Sequence, residues 1–77
     1  MQTNSFYSPI EVGDLVEYSG DEEKIKKHLV TNVLKDKTTG ELFVECGGEI
    51  ISFKDIRCVY RNHYATNTWY LVYYRMF

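Results

Sequence analysis

The sequence predicts a single all-β domain, a small barrel or sandwich of short strands, on three observations. Turns containing Gly, Asp and Asn recur along the chain. The segments between them are rich in β-branched and aromatic residues, which fit a pleated, half-buried surface. The chain has 77 residues, 44% of them hydrophobic and one of them proline, which suits one core, too short for two and too apolar for disorder.

Residues 1–11 read as a polar lead-in that carries Phe6, Tyr7, Pro9 and Ile10. Val12-Gly13-Asp14 is a turn, and Leu15-Val16-Glu17-Tyr18 a first strand that ends at Ser19-Gly20-Asp21. The next segment carries two signals. Ser19 and Glu22 have capping-box spacing, and Ile25, Leu29 and Val33 recur every four residues. Leu29-Val30-Thr31-Asn32-Val33-Leu34, however, is rich in β-branched residues. The expectation is one helical turn or irregular loop over 21–27, then a strand over 28–35.

Asp36 to Gly40 forms the next turn, and residues 41–46 a strand with Leu42, Val44 and Cys46 on one side. Gly47-Gly48 is a tight hairpin, because both glycines reach positive φ without steric cost. Residues 49–53 return antiparallel, and Lys54-Asp55-Ile56 reads as a 3₁₀ turn. A strand over 57–61, a polar loop over 62–68 and a final strand over 69–77 complete the chain. The expected core is Val16, Tyr18, Val33, Leu42, Val44, Ile51, Phe53, Ile56 and Val59.

Gly13-Asp14-Leu15-Val16-Glu17-Tyr18 resembles the first strand of SH3-like small barrels, and Phe53-Lys54-Asp55-Ile56-Arg57 resembles the 3₁₀ turn leading into their fifth strand. The resemblance covers residues 12–61. It implies a five-stranded SH3-like barrel, to which 62–77 adds a loop and an extra C-terminal strand. In size and style the chain is also similar to small SH3-like proteins of bacteriophages and SPβ-type prophages. Signalling domains of this fold bind proline-rich peptides. Trp69 lies in the extra strand, away from that arrangement, so peptide binding is not carried over.

Most catalytic classes lack their signatures here. The chain has no Gly-rich phosphate loop, nucleophile elbow or HExxH, and no enzyme activity or cofactor is expected. Asp21-Glu22-Glu23 stands beside Lys24, Lys26 and Lys27 and reads as solvated loop charge. Cys46 and Cys58 lack metal-ligand spacing and read as reduced, small buried thiols. His63 reads as a solvated loop side chain, since a metal site needs more ligands than that loop offers. No stretch is long and apolar enough for a membrane span, and the N-terminus shows no signal-peptide pattern, so the expected location is the cytoplasm.

Charge is unevenly placed. Residues 1–55 hold all eleven acids against six lysines, whereas 56–77 hold Arg57, Arg61 and Arg75 with no acid and seven of the twelve aromatics. Such asymmetry points to a partner surface. Strict alternation sets Trp69, Leu71, Tyr73, Arg75 and Phe77 on one face of the last strand and Tyr70, Val72, Tyr74 and Met76 on the other. Either this strand completes the core or part of it stays open. Tyr, Trp and Arg are the residues enriched at interface hot spots. The expected contact residues are therefore Arg57, Arg61, Trp69, Tyr70, Tyr73, Tyr74 and Arg75. The expected function is a non-enzymatic protein-binding module, of phage or prophage origin, that binds a host protein or pairs with itself through the last strand. Two alternatives stay open: an inhibitor whose acidic body imitates nucleic acid, and a weak nucleic-acid binder using the arginines and rings of 56–77.

Overall fold

The computed structural model describes residues 9–19 and 24–75. Six strands are present among them: β1 (Leu15–Ser19), β2 (Ile25–Lys35), β3 (Leu42–Cys46), β4 (Glu49–Ser52), β5 (Ile56–His63) and β6 (Thr68–Tyr74). A 3₁₀ turn, Phe53–Asp55, joins β4 to β5. The strands form one antiparallel sheet in the order β4-β3-β2-β1-β5-β6. The all-β expectation with a sixth C-terminal strand is met. The sheet is not closed into a barrel by hydrogen bonds, and β4 and β6 are its edges.

β2 is the spine. Its first half pairs with β1, from Ile25 against Ser19 to Leu29 against Leu15, and its second half pairs with β3, from Val30 against Cys46 to Lys35 against Leu42. Between Val30 and Asn32 the register slips by one residue. The extra residue, Thr31, is exposed and donates its hydroxyl to the Glu45 carbonyl at 2.9 Å. This bulge lets Val30 and Val33, three residues apart, both turn inward, which strict alternation forbids. The sheet folds over on itself here, so Val30, Val44 and Cys46 from one half pack with Val16, Tyr18, Ile56 and Val59 from the other.

Turn chemistry holds the corners. The Asp36 carboxylate accepts the backbone N–H groups of Thr38 at 2.7 Å and Thr39 at 3.2 Å, an Asx turn that replaces unpaired backbone with side-chain bonds. Gly47 and Gly48 have φ of +57° and +79°, the pair of positive values that a two-residue hairpin of the favoured twist requires.

The core departs from expectation at identifiable points. Val16, Tyr18, Val44, Ile56 and Val59 are buried, and Val33, Ile51 and Phe53 pack against them. Leu42 is half-buried and outside this cluster. Ile10, expected in a polar lead-in, is buried, because the turn at Gly13 folds the lead-in back over the core: Gly13 donates to Val30 O at 2.9 Å. The helical turn or loop expected over 21–27 is corrected for 25–27, where Ile25, Lys26 and Lys27 already pair with β1; Lys24 lies outside any strand, and residues 21–23 lie outside the described residues. Pairing with β1 supplies ladder partners for the backbone groups on that side, and that outweighs the local capping signal. β5 runs to His63 and the following turn spans only 64–67, so the loop expected over 62–68 is shorter. The part of the last strand expected over 76–77 lies outside the described residues.

Candidate interaction surface

Register assigns the two faces of the β2-β1-β5-β6 half. Val16 pairs with Val59, and Val59 with Tyr73, and all three belong to or pack on the core. The opposite, outer face shows two aligned rows. Leu29 pairs with Leu15, Leu15 with Tyr60 and Tyr60 with Leu71, giving four apolar or aromatic residues across four strands. The adjacent row is Lys27, Glu17, Cys58 and Tyr74. Trp69, opposite Asn62, extends the surface beyond them.

On this face Leu29 (53%), Leu71 (51%), Tyr74 (58%) and Trp69 (45%) are exposed, whereas Leu15 and Tyr60 between them are half-buried. Its one charged pair is internally neutral: Lys27 Nζ lies 3.7 Å from Glu17 Oε1 and 5.7 Å from the centre of the Tyr60 ring. Cys58 is buried but stands apart from the main core cluster, set among Glu17, Tyr60 and Tyr74 on the outer side. Burial pushes the Tyr60 hydroxyl above its ordinary pKa, and its hydrogen bond with Cys58 adds to the shift.

The seven residues expected to form one contact surface are divided among four places. Trp69 and Tyr74 lie on the outer face. Tyr70 pairs with Arg61 on the core side of the sheet's rim, and it is 45% exposed. Arg61 itself is committed to Asp14, with Nε to Oδ1 at 3.0 Å and Nη2 to Oδ2 at 2.9 Å, and this hydrogen bonding raises its pKa further. Tyr73 packs on Phe53, with ring centres 4.9 Å apart. Arg75 folds over both rings and donates from Nη2 to the Tyr73 hydroxyl at 2.8 Å. Arg57 is the extra residue of a bulge in β5 opposite Glu17 and Tyr18. It lines an open hollow of about 630 Å³ with Tyr18, Ile50, Ile51, Ser52 and Asp55, where the sheet edge β4 fails to meet β5.

Strict alternation in the last strand does not survive. Tyr73 pairs with Val59 but Leu71 pairs with Tyr60, so Val72 is an extra residue, and Val72 and Tyr73 both pack toward the core. Leu71 and Trp69 therefore face away from Tyr73, where alternation had placed all three together. Leu15, Leu29, Tyr60 and Leu71, the residues that build the outer row, were missed as a set. Each is an ordinary strand residue in the sequence, and only the strand order aligns them.

Among the described residues the acids are dispersed and largely engaged within the molecule. Glu49 accepts from Tyr18 and Lys26, Glu41 from Ser52, and Glu17 pairs with Lys27. Among the described residues no group of three His, Cys, Asp or Glu side chains is placed to hold a metal ion. Comparison with protein-family models, curated proteins and solved structures finds no match.

Proposed function

We propose that the chain is a non-enzymatic protein-binding module that lays the outer face of the β2-β1-β5-β6 half against another protein. The carrying observation is the row Leu29–Leu15–Tyr60–Leu71, exposed at its ends Leu29 and Leu71 and half-buried at Leu15 and Tyr60, flanked by the exposed Trp69 and Tyr74. A contiguous apolar patch on a small domain marks an interaction surface, and its aromatic content matches what interface centres use. The finer architecture belongs to the same proposal: an SH3-like barrel left open between β4 and β5, with β6 added. The 3₁₀ turn between those strands and the bent β2 support it. The phage or prophage origin that the resemblance implies, with action in the host cytoplasm, is a further part of the proposal, and the neighbouring genes test it. Nucleic-acid binding has less support, because Arg61 and Arg75 spend their guanidinium groups inside the molecule.

The test is retention of proteins from a bacterial lysate by the immobilised chain. Species held by the wild type are lost with Leu71→Glu and Trp69→Ala but kept with Ile50→Ser, which alters an exposed apolar residue on the far edge. Identical retention by all four proteins removes the outer face as the contact. A low-salt gel shift that moves DNA or RNA would transfer the reading to nucleic acid.

A further inference from the structure

The two edges of the sheet are unequal. β4 is four residues long, runs straight into the 3₁₀ turn, and carries Glu49 in an ion pair with Lys26. Short length and charge are the usual protections of an edge strand. β6 is seven residues long and contains no charge and no proline. Its one interruption is the bulge at Val72, which leaves Thr68–Leu71 in regular register with β5. Arg75, just beyond it, is drawn off the edge onto Phe53, Tyr73 and the Lys54 carbonyl.

We infer that β6 pairs antiparallel with β6 of a second copy of this chain, about a two-fold axis normal to the sheet, and so extends the outer row across both copies. This rests on the outer face being a contact surface and adds that its edge recognises itself. A two-fold axis normal to the sheet keeps each outer face on the same side. Centred on Tyr70, it sets Trp69 opposite the partner's Leu71 and Thr68 opposite the partner's Val72. Such aromatic–aliphatic neighbours are the stabilising kind of cross-strand pair. Charge does not oppose a second copy: β6 itself carries none and the acids all lie in 1–55, so two copies of this edge meet with no like charges opposed.

Area sets the strength. Trp69, Tyr70, Leu71 and Tyr74 are each about half exposed. With about 150–250 Å² per aromatic side chain, each copy offers roughly 300–400 Å² of open side chain here. That is below the ~800 Å² per partner of a tight complex, so the dimer is weak and reversible.

Sedimentation equilibrium of the full chain, from about 5 µM to about 1 mM, tests this. The wild type is expected to dimerise within that range. Tyr70→Glu and Tyr70→Lys, each placing a charge opposite its own copy, are expected to weaken association at least about tenfold, and an equimolar mixture of the two to restore it. Leu29→Lys, on the outer face but three strands from the edge, is expected to dimerise normally while losing captured protein partners. Circular dichroism confirms that each variant is folded. A wild type that stays monomeric to the highest concentration overturns self-pairing and leaves the outer-face reading intact. Dissociation by Leu29→Lys but not by Tyr70→Glu overturns it in favour of face-to-face stacking.

Discussion

Arg61 grips Asp14 with both prongs of its guanidinium, at 3.0 and 2.9 Å, across 47 residues of sequence. The Asp14 side chain is 3% exposed and that of Arg61 28%. The same carboxylate accepts the Glu11 N–H at 2.9 Å, and Arg61 also donates to Pro9 O. One ion pair thus ties the lead-in, the first turn and β5 together, and it carries Ile10 into the core.

Removing one side of this pair leaves a buried charge without a partner. Arg61→Met is expected to lower unfolding free energy by about 3 kcal/mol, the low end for a broken buried pair because Arg61 is partly solvated. Replacing both residues by apolar ones should recover part of the loss. Urea denaturation of the single and double variants measures it. A double variant no better than Arg61→Met would show that Asp14 suffers no burial penalty.

Gly47 and Gly48 share a hairpin and a positive φ but differ in surroundings. A Cβ at Gly47 would lie 2.7 Å from the His28 ring, whereas at Gly48 it meets nothing within 4 Å. Gly48→Ala should cost about 1 kcal/mol, from backbone strain alone. Gly47→Ala should cost at least about 1 kcal/mol more, since the ring must move, and should shift the His28 NMR resonances. Equal costs would mean that His28 yields freely.

Alkaline pH should destabilise the fold. Burial raises the pKa of the Cys46 thiol, with its hydrogen bond to Tyr18 acting in the opposite direction. Burial is also the main cause of the raised pKa of the Tyr18 hydroxyl, reinforced by the charge of Cys46 and Glu49. The folded chain then keeps both protons at a pH where the unfolded chain releases them, so the unfolded state binds fewer protons and stability falls as pH rises. The decline should begin near the ordinary thiol value of 9.0 and steepen near the ordinary tyrosine value of 10.0. Urea midpoints across this range measure it, and Cys46→Ala should flatten the first part. Cys46 should also resist alkylation in the native state and react once unfolded, because it has no exposed surface.

Much of the fold can be read from local signals. The Asp36–Gly40 turn, the Gly47-Gly48 hairpin and the strands they join need only turn chemistry and β propensity. What resists reading is the set of three bulges, at Thr31, Arg57 and Val72. Each shifts the facing of one strand by a residue and breaks the period of two on which face assignment depends. Val30 was therefore missed as core, and Tyr73 was placed with Trp69 and Leu71. The site was half legible. Trp69 and Tyr74 stood out by type, but Leu15, Leu29 and Tyr60 become a surface only through strand order. Nor can composition show that Arg61 and Arg75 point their charge inward.

Trp69, the sole tryptophan, reports on the central proposal, that the outer face and β6 edge are open to a partner. Acrylamide quenching of its fluorescence in dilute native protein is the most direct measurement. Quenching approaching that of the urea-unfolded chain, and falling as protein concentration rises, is the predicted result. An indole shielded to the same degree at every concentration would mean that the ring is sealed within a monomer, and would contradict the account.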